Sequence, residues 1–119
     1  METVKGIFIT TNSDVEITTI ENQIEDFNKL IGGYIECIYL PNEYVMIIDE
    51  EGKIKNKDIN PLATDILRYA YETADFIVGN VFIVKQSGCD VRGLTYGEIK
   101  EFFDSYGLFK IKIDGKEVN

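Results

Sequence analysis

Across LIGGYIECIYLP, residues 30–41, the apolar residues change spacing from the helical period of about 3.6 to the strand period of about two. The change falls on Gly32 and Gly33, and glycine after a helical run supplies the left-handed turn that ends a helix. Similar switches recur along the chain, so helices and strands alternate in short pieces. A chain of 119 residues has room for one core. The expected fold is a single α+β domain over residues 1–119, an antiparallel or mixed β-sheet with about three helices packed on it.

TVKGIFITT (3–11) and DVEITT (14–19) are β-branched, with the turn-forming NSD between them, and read as a β-hairpin. A helix is expected over TTIENQIEDFNKLIGG, with Ile20, Ile24, Phe27, Leu30 and Ile31 as its apolar face and Thr18 and Glu21 as a capping box. In the strand YIECIYL, Ile35, Cys37 and Tyr39 point one way, and Tyr34, Glu36, Ile38 and Leu40 the other. EYVMIID resumes as a strand after Pro41–Asn42, and DEEG turns the chain. KIKNK is a candidate to pair back. If extended, it places Lys53, Lys55 and Lys57 on one side, either as a guarded sheet edge or as a small anion site.

INPLATDILRYAYETADF reads as a helix with Asn60 as N-cap, Pro61 in the first position, and Leu62, Ile66, Tyr69 and Ala70 facing inward. FIVGNVFIV is either one strand with a bulge or a hairpin turning at Gly79–Asn80. QSGCDVRG reads as a loop. The last helix, LTYGEIKEFFDSYG, starts with a capping box of Thr95 and Glu98 and buries Ile99, Phe102, Phe103 and Tyr106. LFKIKID closes the chain as a strand with alternating Lys110 and Lys112.

The formal charge is −9, and it is unevenly placed. Residues 1–51 carry eleven Asp and Glu against Lys5 and Lys29, whereas residues 52–119 carry ten acids and ten bases. A net negative field disfavours direct nucleic-acid binding and attracts a basic partner surface. Acidic residues also keep small proteins soluble. No apolar run approaches the roughly 20 residues of a membrane helix, and METVKGIFITTNSD lacks signal-peptide order. The expectation is a cytoplasmic protein in a bacterial host cell.

The chain has no histidine, which removes the commonest general base and the commonest transition-metal ligand. Cys37 lies in an apolar strand face beside Glu36, close to a helix C-terminus. These surroundings raise a thiol pKa, so Cys37 reads as packing rather than as a nucleophile. Cys37 and Cys89 form no CxxC pattern. Nucleotide-binding and hydrolase motifs are absent. Asp49–Glu50–Glu51 in a turn reads as solvated acids rather than as a cation site. Asn60, Thr64 and Arg68, at the start of a helix with free N–H groups, form a candidate anion or nucleotide site beside Lys53–Lys57. The competing reading of Asn60 is a plain helix cap.

IGGYIE after an amphipathic helix, then an acidic–glycine turn, NPLAT and IVGNVFIV, resembles an uncharacterised small-domain family of bacteriophages and integrative mobile elements of Gram-positive bacteria. The match spans roughly residues 15–105 and rests on Gly32, Gly33, Tyr34, Ile35, Glu36, Asn60, Ala63, Thr64 and Gly79. The resemblance implies an accessory gene and carries no activity, cofactor or metal. By analogy with small acidic phage proteins, the expectation is a non-enzymatic inhibitor of a bacterial defence system. It would meet a basic host protein through Glu21, Glu25, Asp26, Asp49, Glu50 and Glu51. The alternatives are a sponge for a cyclic or ADP-ribose-type nucleotide at Asn60, Thr64 and Arg68, and a regulatory protein-interaction module unrelated to defence. Self-association into a homo-oligomer stays open.

Overall fold

The computed structural model describes residues 2–108, together with the backbone of Ile111–Ile113 and Lys116–Val118. The expected hairpin is present: β1 (Thr3–Ile9) pairs antiparallel with β2 (Val15–Glu21), Ile7 opposite Ile17. After β2 come α1 (Ile24–Ile31), β3 (Ile35–Tyr39), β4 (Tyr44–Asp49), α2 (Pro61–Tyr71), β5 (Val81–Ser87), β6 (Asp90–Arg92) and α3 (Tyr96–Tyr106). The described chain ends with β7 (Ile111–Ile113) and β8 (Lys116–Val118). The sheet order is β3-β4-β5-β1-β2-β7-β8, with β6 pairing to β5 off this path. Its described pairs are antiparallel except β2 with β7, so the sheet is mixed and the fold is α+β.

Alternation along the central strands divides the core in two. Tyr44 and Met46 of β4, Ile7 and Ile9 of β1, and Val81 and Ile83 of β5 pack with Ala63, Ile66 and Leu67 of α2 and with Ile99 and Phe102 of α3. Val45 and Ile47 of β4 and Phe82 and Val84 of β5 face the other way and pack with Phe27 and Ile31 of α1. One helix therefore covers one face of the sheet and two cover the other. Gly6 makes the α1 side possible, because a Cβ there would lie 2.6 Å from Cζ of Phe82 and 2.5 Å from the Ile83 carbonyl oxygen.

Several elements differ from the sequence reading. Thr18 and Ile20 belong to β2, and the Thr18 hydroxyl donates to Glu16 Oε2 at 2.9 Å instead of capping a helix. The β-branched run Ile17–Ile20 continues the strand, and α1 begins only after Gln23 at its cap position. Its end at Gly32, with φ of 84°, is as expected. KIKNK does not pair back: residues 50–56 form a series of turns. Helix α2 stops at Tyr71 rather than reaching Phe76, because Thr64 Oγ1 accepts from the Ile77 N–H and Arg68 Nε donates to the Asp75 carbonyl. These bonds fold the connecting loop back along the helix. The inward face of α2 is Ala63, Thr64, Ile66 and Leu67, and Tyr69 is exposed.

In FIVGNVFIV the strand starts after Gly79–Asn80, and Val78 instead makes an isolated bridge to Ile59. The expected loop QSGCDVRG is a hairpin, with Gln86 opposite Val91. The capping box of Thr95 and Glu98 is present. Lys110 and the side chain of Lys112 lie outside the described residues.

Candidate functional site

The six acids of the N-terminal region are not one surface. Asp49 ends β4 with its side chain only 1% exposed, held by Lys57 Nζ at 2.6 Å and Lys55 Nζ at 2.9 Å. Burial alone would raise its carboxyl, but hydrogen bonds from Lys57, Lys55 and the Glu51 N–H outweigh it and hold the pKa at about 2. Asp49 is therefore an internal anchor and leaves the set of partner-facing acids. Glu21 at the end of β2 and Glu25 in the first turn of α1 are exposed and Asp26 is half-buried, whereas Glu50 and Glu51 are exposed beyond the end of α1. An eight-residue helix separates the two groups by about 12 Å.

The lysines form neither a guarded edge nor an open anion site. Lys53 pairs with Asp75 at 2.7 Å. Lys55 and Lys57 bind Asp49, and Lys57 Nζ also donates to the Ile31 carbonyl oxygen at 3.1 Å. The two lysines thus satisfy carbonyls at the C-terminal end of α1, where positive charge is favoured. Gly33 gives them room: a Cβ there would lie 2.5 Å from Lys55 Nζ and 2.7 Å from Asp49 Oδ2. Gly79, with φ of 77°, lies against the Lys57 side chain.

Asn60 is wholly buried at the same joint. Its Oδ1 accepts from the Ala63 N–H at 3.0 Å, and its Nδ2 donates to the carbonyls of Ile9 at 3.1 Å and Gly79 at 2.9 Å. Thr64 is also buried, its hydroxyl accepting from the Ile77 N–H at 2.9 Å and in contact with the Ile77 carbonyl at 3.3 Å. Arg68 is exposed but bonded to the carbonyls of Ala74 and Asp75. The proposed nucleotide trio is thus not assembled as an open site: two of its members are interior and spent on backbone groups, as the capping reading of Asn60 requires. Of the residues that carry the family resemblance, Gly32, Gly33 and Gly79 lie around Lys55 and Lys57 of the β4–α2 connection, and Asn60 and Thr64 tie the start of α2 to the α2–β5 connection.

The α1 face carries a groove of about 340 Å³ lined by Asn22, Ile24 and Phe27, by Ile35, Cys37 and Tyr39 of β3, by Ile47, by Cys89 of the β5–β6 turn, and by Asp90 and Val91 of β6. No lysine or arginine lines it. Ile24 and Tyr39 are exposed at its rim. Cys37 is half-buried here, and burial first, then the neighbouring Glu36, pushes its thiol up, as expected of a packing cysteine. Nothing in the sequence pattern related Cys89 to Cys37; the β5–β6 hairpin places Cys89 in the lining of the same groove, and both thiols are free.

A second polar cluster was also illegible in the sequence. Arg92 grips Glu98 through two bonds of 2.7 and 2.8 Å, and Lys85, nearly buried, lies 3.9 Å above the Tyr44 ring and donates to the Asn42 carbonyl. The Arg92 hydrogen bonds, opposed by burial and assisted by the Thr95 N–H, hold Glu98 at about 2. Burial, then the hydrogen bond to Glu101, raises the Tyr44 phenol. The pairing is mutual and ties β4, β5, β6 and α3 together. Among the described residues, no three of His, Cys, Asp and Glu cluster closely enough to hold a metal ion, and no helix is long and apolar enough to cross a membrane.

Fold and site define a small α+β domain whose sheet is helix-covered on both faces and whose α1 face bears a largely apolar groove with no lysine or arginine in its lining. The chain belongs to the family described as a domain of unknown function (DUF3846), which matches residues 4–107. Neither the curated proteins nor the solved structures contain a match.

Proposed function

We propose that this chain is a non-catalytic binding protein that docks a basic surface of a protein partner on the α1 face. We further propose that it is an accessory product of a phage or mobile element, working in the bacterial cytoplasm as an inhibitor of a host defence protein. The observation that carries the binding reading is the groove itself. It is lined mainly by apolar side chains and by no cation, and its lining residues Asn22 and Ile24 are sequence neighbours of Glu21, Glu25 and Asp26. Apolar centres with charged rims are the usual anatomy of protein interfaces, and the rim charge sets the rate of encounter. The phage and anti-defence parts rest on the resemblance of the motif residues and on the acidity of the first 51 residues.

The test is plaque formation on bacteria carrying defined defence systems, with and without the chain, followed by binding of the rescued system's purified proteins at several salt concentrations. Glu21→Lys, Glu25→Lys and Asp26→Lys together should slow association and abolish rescue, and added salt should weaken the wild-type complex. Unchanged rescue by the triple variant, or a stoichiometric nucleotide released from heated wild-type protein, overturns the reading.

A further inference from the structure

Strand β3 ends the sheet: it pairs with β4 and with no other strand of the sheet path. Its register fixes which backbone groups are unused. Glu50 N donates to the Tyr34 carbonyl and Leu40 N to the Tyr44 carbonyl, so Tyr34, Glu36, Ile38 and Leu40 occupy the hydrogen-bonded positions against β4. Ile35, Cys37 and Tyr39 therefore turn their N–H and C=O groups outward. The Tyr39 carbonyl accepts from the Tyr71 hydroxyl. What remains on the edge is a row of three donors and two acceptors at the spacing of a β-ladder.

Several of the usual protections of such an edge are missing, although the strand is short and Tyr71 covers its last carbonyl. Within IECIY there is no lysine, no proline and no bulge, and the strand's one charge is Glu36. Depressions flank the edge on both faces. The side chains of Ile35, Cys37 and Tyr39 open into the 340 Å³ groove of the α1 face. Glu36 and Ile38 open into a smaller one of about 180 Å³, shared with Ile48, Glu50 and Ile54. The charged residues at these depressions are mainly acids: Asp90 on one side, Glu36 and Glu50 on the other, with Lys53 already paired to Asp75.

We infer that β3 is the docking edge for an extended, lysine- or arginine-bearing segment of a protein partner, which adds to the sheet as a further strand. The backbone row supplies affinity and the two depressions receive alternate side chains. A basic residue placed across from Glu36 gains the favourable cross-strand pairing of opposite charges. A second copy of this chain is the poorer occupant, because each copy carries a charge of −9 and would bring its own Glu36 and Glu50 to the contact. This inference rests on the binding reading above and names the backbone that would carry it.

The experiment uses the full chain, labelled for amide NMR, and two capped ten-residue peptides, one alternating valine with lysine and one alternating valine with glutamate. The lysine peptide should slow hydrogen exchange at the Ile35, Cys37 and Tyr39 amides, about tenfold near nine-tenths occupancy, and the glutamate peptide should not. Cys37→Pro removes an outward N–H without touching the β4 ladder and should lose the effect, while Cys37→Val should keep it. Absence of slowing with the lysine peptide at millimolar concentration overturns the inference. Shifts confined to Glu21, Glu25 and Asp26 overturn strand addition and leave the acidic-face reading standing. Equal slowing by the glutamate peptide overturns the basic occupant. Concentration-dependent slowing in the free protein, with a dimer in sedimentation, gives the edge to a second copy and overturns the partner.

Discussion

Replacing Asn60 by alanine separates an interior joint from a ligand site, because the two roles give opposite results. Asn60 is wholly buried, and its amide makes three bonds, one to the Ala63 N–H and two to the carbonyls of Ile9 and Gly79. Loss of the cap costs about 1 kcal/mol. Each interior carbonyl deprived of its donor adds about 1–2 kcal/mol where no water replaces it. The three terms share one side chain and are not strictly additive, so the expected loss is about 3 kcal/mol. For a chain of 119 residues that corresponds to a fall in melting temperature on the order of 10 °C. Asn60→Asp should be at least as harmful: one oxygen still caps Ala63, but the other faces two carbonyl oxygens in place of an N–H donor. Urea titration of both variants, compared at unchanged m-value, measures the effect. A loss below about 1 kcal/mol for Asn60→Ala, with weakened binding of any nucleotide, would refute the joint and restore the ligand site.

Asp49 should make the protein acid-sensitive. Its folded pKa of about 2 lies below the ordinary 3.8, so its contribution is present above pH 4 and drains away as pH falls toward 2; the gap corresponds to about 2 kcal/mol, and Asp49→Asn should flatten that part of the stability–pH curve. The two thiols should react at different rates with an aromatic disulfide reagent, exposed Cys89 fast and half-buried Cys37 slowly, and Cys37→Ser should cost only about 1 kcal/mol; fast labelling of Cys37 in the native protein would contradict its packing role. Gly6→Ala should lower stability by about 2 kcal/mol or more in urea titration, because its Cβ has no space beside Phe82 and the Ile83 carbonyl; a neutral result would show that the α1-side core yields easily.

Local chemistry determined much of this protein directly from its sequence. The end of α1 at Gly32, the strand through Cys37, the Asn60 cap and the Thr95–Glu98 box each depend on residues within a few positions of one another, and the first hairpin on two adjacent strands joined by a short turn. The α+β class followed because short segments of two periods leave few other ways to bury their apolar faces. Tertiary structure decided the rest. Thr18 and Ile20 satisfied both a helix start and a strand, and pairing with β1 chose the strand. Asp49, Lys55 and Lys57 looked like solvent-facing charges. The burial of Asp49 and its pairing with the two lysines depend on the turn at 50–56 folding over the end of α1, a contact between segments more than twenty residues apart. The groove and the open edge of β3 are products of strand order. Strand order is a long-range choice, since the same alternation that makes β3 a strand would suit it equally to the middle of a sheet.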